Sequence, residues 1–262
     1  MRILFMGDVV GEPGRRAIKM LLPKLKSSEK LDFTIANAEN VAGGSGVTPS
    51  LADELLDSGV DVLTSGDHIW KKKEIFGYID TCKRLIRPAN YPQGAPGAGS
   101  TVVKSDSGVS VGVINIIGRV FMQALECPFK AAKAEVDRIK DKARVIIVDM
   151  HAEATSEKVA LGWYLDGTVS AILGTHTHVQ TADEKILPYG TAFISDVGMT
   201  GPFDGVIGRK KEQILQRFLT SLPMKFEIAE GDIQLQGVVV DIDDKTGKAN
   251  SIKRIQKKLD VQ

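Results

Sequence analysis

Cysteine, histidine and long apolar runs are all scarce in this 262-residue chain, and each scarcity excludes something. Two cysteines, Cys82 and Cys127, with no CxxC spacing rule out a disulfide framework and fit a reducing compartment. No apolar stretch approaches the roughly 20 residues that span a bilayer. The N-terminal "ILFM" is far shorter than the roughly 7 to 15 apolar residues at the heart of a signal peptide, so the expected location is the cytoplasm. Neither sign of charge dominates: 34 basic against 33 acidic residues leave +1, so any function that depends on charge must be local. Hydrophobic residues make up 43% of the chain, enough for a substantial core, and no internal repeat or confident linker divides it, so one domain is expected.

Short runs rich in β-branched and aliphatic residues recur at 2–6, 32–37, 60–65, 144–150 and 169–173, with the continuous apolar character of strands covered on both faces. Helical patterns lie between them at 14–28, 50–59, 73–82, 129–143 and 156–166, which predicts an α/β fold with largely parallel central strands. Pro23 falls inside the first helical pattern and predicts a kink or an early end. Segments 99–117 and 224–258 read instead as strand, turn, strand, so antiparallel strands are expected to flank the parallel ones, the second as a C-terminal antiparallel region.

The polar residues fall on this map in one kind of place. Asp8, Glu39 with Asn40, Asp67 with His68, His151, and His176 with His178 all stand just past the end of an expected buried strand, and the four histidines are all the chain has. In open α/β sheets that edge is where ligand crevices form, so residues distant in sequence converge there. Singly, each has a plain structural reading: Asp8 as a helix N-cap, "NAEN" as a turn, a strand-end histidine as an ordinary hydrogen-bonded side chain. Together, imidazoles and carboxylates are the ligand set of zinc, iron or manganese, and Asp8, Glu39, Asn40, Asp67, His151, His176 and His178 suffice for two ions sharing a bridging carboxylate. Two metals about 3.5 to 4 Å apart are a standard device for phosphate-ester hydrolysis. In "GTHTHVQ" an extended backbone would put His176 and His178 on one face.

The motifs "MGDVVG", "NAENVAGG", "SGDHIW", "RPANYP", "MHAEATSEK", "GTHTHVQTAD" and "DVGMTGP", in that order, resemble the calcineurin-like metallophosphoesterase superfamily and, more closely, its YmdB-like branch of bacterial phosphodiesterases acting on cyclic nucleotides. The resemblance implies a four-layer α-β-β-α sandwich with mixed sheets. It also implies that Asp8, Glu39, Asn40 and His178 hold one metal, that Glu39 bridges to a second held by Asp67, His151 and His176, and that His68 stands beside them without binding. The expected cofactors are two divalent or mixed-valence ions per chain, iron or manganese before zinc. The expected reaction is in-line attack of a metal-bridging hydroxide on a 2′,3′- or 3′,5′-cyclic nucleotide, with His68 as general acid.

Two positions depart from the superfamily pattern. Val10 stands where a histidine is usual, and Asp67 replaces the usual asparagine, which adds negative charge, raises metal affinity and weakens the metal as a Lewis acid. Asp196 is expected to orient a histidine, and Gly43 and Gly44 of "GGSG" read as a phosphate-side loop or a plain turn. Arg15 and Arg16 read as a solvated helix start, while "WKKKE" and "KRIQKK" are small basic clusters that point only weakly to RNA. The rival readings are a regulatory or RNA-linked binding protein with a vestigial metal site, and a dinuclear hydrolase of amides or lactones. A homo-oligomer stays open, and no membrane partner is expected.

Overall fold

The computed structural model describes residues 1–260. In chain order its elements are β1 (Arg2–Met6), β2 (Asp8–Val9), α1 (Gly11–Glu29), β3 (Phe33–Asn37), α2 (Pro49–Asp57), β4 (Val62–Thr64), α3 (Ile75–Tyr78), β5 (Ser100–Lys104), β6 (Ser110–Ile117) and α4 (Pro128–Ile139). There follow β7 (Val145–His151), α5 (Thr155–Leu165), β8 (Ala171–Thr175), β9 (Lys185–Ile186), β10 (Ala192–Ile194), β11 (Met199–Pro202), α6 (Lys211–Thr220), β12 (Ile233–Ile242) and β13 (Ala249–Lys258). Among the described residues no helix is long and apolar enough to cross a membrane.

The strands form two mixed sheets. One has seven strands, in the order β2-β11-β12-β1-β3-β4 with β13 on β12, and the other six, in the order β5-β6-β7-β8-β10-β9. Strands β1, β3 and β4 run parallel, as do β6, β7, β8 and β10. Because successive side chains on a strand point to opposite faces, each strand feeds two cores. Ile3 and Phe5 of β1 pack with Val145 and Ile147 of β7 between the sheets. Leu4 and Met6 face outward onto Ile18, Leu22 and Leu25 of α1 and Leu55 of α2. On the far side, Ile146, Val148 and Met150 of β7 meet Val136 of α4 and Leu161 of α5. Three apolar cores between four layers of secondary structure make the α-β-β-α sandwich that the motifs implied.

Several expectations need correction. Pro23 does not end α1, which runs unbroken to Glu29; the proline is on the exposed side, while Leu22 and Leu25 carry the buried stripe across it. That packing outweighs the single backbone bond proline cannot make. The helix expected at 73–82 contracts to the four residues of α3, after a 3-10 turn at Ile69–Lys71, with Gly77 inside it and the Asp80 carboxylate taken by the Gly97 N–H at 2.6 Å. The C-terminal strands do not merely flank the sheet. β12 is interior, with β13 on one edge and β1 and β11 on the other, and its Val238, Val240 and Ile242 complete the inter-sheet core. Residues 224–232 form no strand before β12, and the small strands β9 and β11 and helix α6 have no counterpart in the sequence patterns.

Phe5 is fully buried between the sheets, so Phe5→Ala is expected to lower unfolding free energy by about 3 to 5 kcal/mol. A urea titration should show a lower midpoint with an unchanged slope; a midpoint within error of the unmutated protein would contradict this account of the core.

Candidate metal centre

Strand alternation decides which polar residues meet where the inter-sheet core ends. On β7, Val145 and Ile147 face the other sheet, so Asp149 and His151 follow on the same face; Ala171 and Leu173 likewise lead to Thr175 on β8, Phe33 and Ile35 to Asn37 on β3, and Val62 to Thr64 on β4. At the C-terminal ends of these strands apolar packing therefore gives way to a buried polar cluster. Asp149 sits at its middle, accepting from Thr64 Oγ1 at 2.5 Å, Asn37 Nδ2 at 3.1 Å and Thr175 Oγ1 at 2.7 Å. Burial pushes its carboxyl up to about 7 against the pull of His151 and these hydroxyls.

The next residues outward are the expected ligands. Glu39, Asp67, His151 and His176 each bring one ligand atom into a group within 4.8 Å of one another. His151 Nε2 lies 3.2 Å from Glu39 Oε2, 3.4 Å from Asp67 Oδ1 and 2.9 Å from His176 Nδ1. On the other side of this group, Asp8 Oδ1 lies 3.8 Å from His178 Nε2, and Asn40 Nδ2 lies 3.1 Å from Glu39 Oε1 and 3.2 Å from His178 Nε2. In this orientation Asn40 turns its carbonyl oxygen to His68 Nδ1 at 2.9 Å, and only a half-turn of the amide would offer that oxygen to an ion beside His178. His151 is the last residue of β7, one residue inside the strand expected to end before it, while Asp8 follows β1, which ends at Met6 as expected, in the separate short strand β2. Asp8 caps no helix, since the N-cap of α1 is Val10.

The "THTH" segment is not extended. His176 and His178 have φ of 98° and 64°, so both lie in the left-handed region that costs a non-glycine residue about 1 to 3 kcal/mol. Surrounding bonds impose this turn. Asp8 Oδ2 accepts the His176 N–H at 3.1 Å, while Asp196 Oδ2 accepts the Thr177 N–H at 3.1 Å and its hydroxyl at 2.7 Å. Asp196 is in turn fixed by Lys158 Nζ at 2.8 Å, a pair 1% and 2% exposed. Asp196 thus positions both histidines through the residue between them.

Hydrogen bonds also set which ring nitrogens are free. The carbonyl of Ile207 can only accept, so His178 Nδ1, 3.1 Å away, carries the proton and Nε2 keeps its lone pair. Thr175 Oγ1 spends its proton on Asp149, so it accepts from His151 Nδ1–H at 2.9 Å and leaves Nε2 toward the carboxylates. Such outer partners hold a metal-binding histidine in the correct tautomer.

The electrostatics fit a divalent cation. Asp8 Oδ1 and Asp67 Oδ1 are buried with no hydrogen-bond donor. Burial alone would raise Asp67 and Glu39, but His151 outweighs it and holds both carboxyls below their ordinary values. Burial would lower His151, yet Glu39 and Asp67 hold it well above its ordinary value, while burial and the charge of His151 push His176 down to about 4. Asp8 is raised to about 7 by burial, which outweighs the pull of His151. Backbone shape makes room as well: a Cβ on Gly66 would fall 2.1 Å from Glu39 Oε2 and 2.3 Å from His151 Nε2.

An open cavity of about 290 Å³ leads to the cluster, lined among others by Glu39, Asn40, His68, His176 and His178. His68 is in it as expected, with Nδ1 held by Asn40 and Nε2 3.6 Å from Asp67 Oδ2. Gly43 and Gly44 flank it at positive φ of 65° and 82°, with Gly44 on its wall. Sequence reading missed Asp149, Thr175 and Lys158, together with Glu153, whose carboxylate lies 3.3 Å from His176 Nε2. The one legible signal is a carboxylate in the apolar run "RVIIVDM", which needs partners if the run is buried.

Residues 4–255 match the family model described as "YmdB-like protein". Over 255 residues the chain is 54% identical to a Bacillus subtilis (strain 168) protein named 2′,3′-cyclic-nucleotide 2′-phosphodiesterase, covering 97% of this chain and 96% of that one. Among solved structures it superposes on a hypothetical protein from Thermus thermophilus with a TM-score of 0.92 at 40% identity, covering 98% of this chain and 99% of that one. A second, described as a novel phosphatase from Mycoplasma pneumoniae, gives 0.91 at 36% identity, covering 98% and 93%.

Two substitutions test this geometry through metal content. Gly66→Ala is expected to abolish stoichiometric metal, as read by elemental analysis of the folded protein. Thr175→Val removes the acceptor for His151 Nδ1–H and should weaken metal affinity by about 10- to 100-fold in a chelator competition; an unchanged affinity would mean that Thr175 does not orient the ring.

Proposed function

The chain belongs to the YmdB-like protein family, and from that premise we propose that it is a metal-dependent phosphodiesterase that opens cyclic nucleotides, the 2′,3′-cyclic or 3′,5′-cyclic monophosphates, at a centre of two metal ions. The observation that carries this reading is the gathering of Glu39, Asp67, His151 and His176 within 4.8 Å of one another at a cavity lined by Glu39, His68, His176 and His178, with Asp8 Oδ1 and Asp67 Oδ1 buried and lacking donors among the described residues. The relative that shares 54% of its residues is named for a 2′,3′-cyclic-nucleotide substrate. In this reading Asp8 and His178 would hold one ion, Asp67, His151 and His176 the other, with Glu39 within reach of both, while Asn40, whose Oδ1 is engaged by His68, stands beside the first. Mixed nitrogen and oxygen donors suit iron or manganese. When bound, the ions supply positive charge to the phosphoryl oxygens and a water acidic enough to attack at neutral pH.

The remaining steps belong to the protein. The buried carboxylates of Glu39 and Asp67 would hold the metal and supply its counter-charge. Asn40 Oδ1 accepts the His68 Nδ1 proton at 2.9 Å and so locks the ring, leaving Nε2 without a hydrogen-bond partner among the described residues. From that nitrogen His68 gives a proton to the departing ribose oxygen, which would otherwise leave as a poor alkoxide leaving group. Asp196 and Lys158 hold the histidine turn still while the substrate comes and goes.

Purified protein loaded with manganese or iron should hydrolyse 2′,3′-cyclic AMP, and Glu39→Ala should abolish turnover. Fully loaded protein that leaves cyclic nucleotides and bis-p-nitrophenyl phosphate intact would instead favour a binding role. His68→Ala with metal retained is expected to lower kcat for the cyclic nucleotide by about 10²- to 10⁴-fold. The loss should be much smaller for a p-nitrophenyl ester, whose leaving group needs no proton; equal losses on both substrates would remove His68 from the acid role.

A further inference from the structure

Arg209 lines the same cavity and plays no part in the reading above. It ends the tight turn 206–209 between β11 and α6, in which Val206 and Arg209 exchange backbone hydrogen bonds of 2.8 and 2.9 Å across Ile207 and Gly208, both at positive φ, 45° and 87°. This turn is built into the metal site, because the Ile207 carbonyl is the group that holds His178 Nδ1 at 3.1 Å. Arg209 then reaches over the glycine loop: Nη1 donates to the Gly43 carbonyl at 3.2 Å and Nη2 to the Gly44 carbonyl. The guanidinium packs so closely on Gly44 that a Cβ there would fall 2.4 Å from Cζ.

The side chain is half-buried, and among the described residues no carboxylate lies within ion-pair distance of it. Burial acts against its charge. Arg15 and Arg16 differ on this point, since each faces a carboxylate, Glu54 at 2.9 Å and Glu12 at 3.9 Å. A desolvated cation without a counter-charge is costly unless something anionic completes it. Two of the five guanidinium N–H donors are taken by carbonyls and the rest have no partner among the described residues, in the planar fork that suits phosphate oxygens.

We propose that Arg209, anchored on the Gly43 and Gly44 carbonyls, is the phosphate-binding cation of this cavity: it takes the non-bridging oxygens of the bound phosphodiester and of its phosphomonoester product. The assignment rests on the phosphodiesterase reading for the identity of the ligand, though not for the anion site itself. It explains why position 44 carries no side chain. The loop is the seat of the guanidinium, and one short turn sets both that cation and His178 at a fixed spacing.

Arg209→Gln keeps amide donors for the two carbonyls and removes the charge, so it separates anion binding from loop support. For the metal-loaded enzyme, KM for 2′,3′-cyclic AMP should rise by about 10- to 100-fold with a much smaller change in kcat, since a hydrogen bond to a charged group is worth about that much. The dissociation constant for inorganic phosphate, measured by calorimetry without turnover, should weaken by a similar factor at unchanged metal content and thermal midpoint. Arg209→Lys should recover part of both. Unchanged phosphate affinity in Arg209→Gln overturns the proposal, and so does a loss that appears only together with lowered metal content, since that marks a strut for the glycine loop. If the unmutated enzyme hydrolyses no cyclic nucleotide, the functional reading fails while the phosphate comparison still decides the role of Arg209.

Discussion

Asp149 is the tie on which the site depends. It stands on β7 of the six-stranded sheet, yet Asn37 on β3 and Thr64 on β4 of the seven-stranded sheet both donate to it. Within the inter-sheet core the sheets meet through apolar side chains, which resist separation but set position loosely, because dispersion and the hydrophobic effect have little directional preference. A buried carboxylate with three directed donors fixes the relative height of the strand ends, and leaving any donor unpaired there would cost about 1 to 3 kcal/mol. That precision matters at this end of the sandwich, where Glu39, Asp67, His151 and His176 come within 4.8 Å of one another.

The division of labour between the sheets follows from this. The seven-stranded sheet supplies the carboxylates, Asp8 in β2, Glu39 after β3 and Asp67 after β4, and the six-stranded sheet supplies the imidazoles, His151 in β7 and His176 and His178 after β8. Three carboxylates gathered on one sheet repel one another, and facing imidazoles from the other let the cluster form without each negative charge lying beside another. Neither sheet alone holds a complete ligand set. A cation between them is therefore also a bond between the sheets, as metal binding and folding are linked wherever ligands come from separate elements.

Much of this is legible in the sequence, and the limits have physical causes. The layered fold can be read because strands buried on both faces leave continuous apolar runs, and the residues that gather in the polar cluster can be read because they follow those runs at one edge. The chain gives no comparable sign that β12 is interior, since an antiparallel hairpin has the same local pattern at an edge as in the middle; what places it there is the run of Val238, Val240 and Ile242 finding the inter-sheet core. The turn at His176 and His178 is hidden for another reason. Two left-handed histidines are unfavourable locally, and only the distant Asp8, Asp196 and Ile207 make that conformation the best one available. Asp149 and Lys158 look like ordinary polar residues until burial is known, and their meaning lies wholly in contacts across the fold.

The strain at "THTH" connects these points. A backbone held in the left-handed region at two positions keeps its shape only while the bonds that impose it persist, and here those bonds come from both sheets: Asp8 from one, Asp196 from the other, and the 206–209 turn beyond them. An extended segment would carry its side chains wherever its strand went. The strained turn instead places His176 and His178 according to groups that are themselves part of the site, so the ligand spacing is set by the cluster rather than by the strand that precedes it. In that arrangement Lys158 acts at a distance, since the ammonium that neutralises Asp196 inside the six-stranded layer is what allows a second buried carboxylate so close to Asp8. The polar cluster is therefore not an addition to the strand ends; the buried charges that would destabilise the fold singly hold one another in place there.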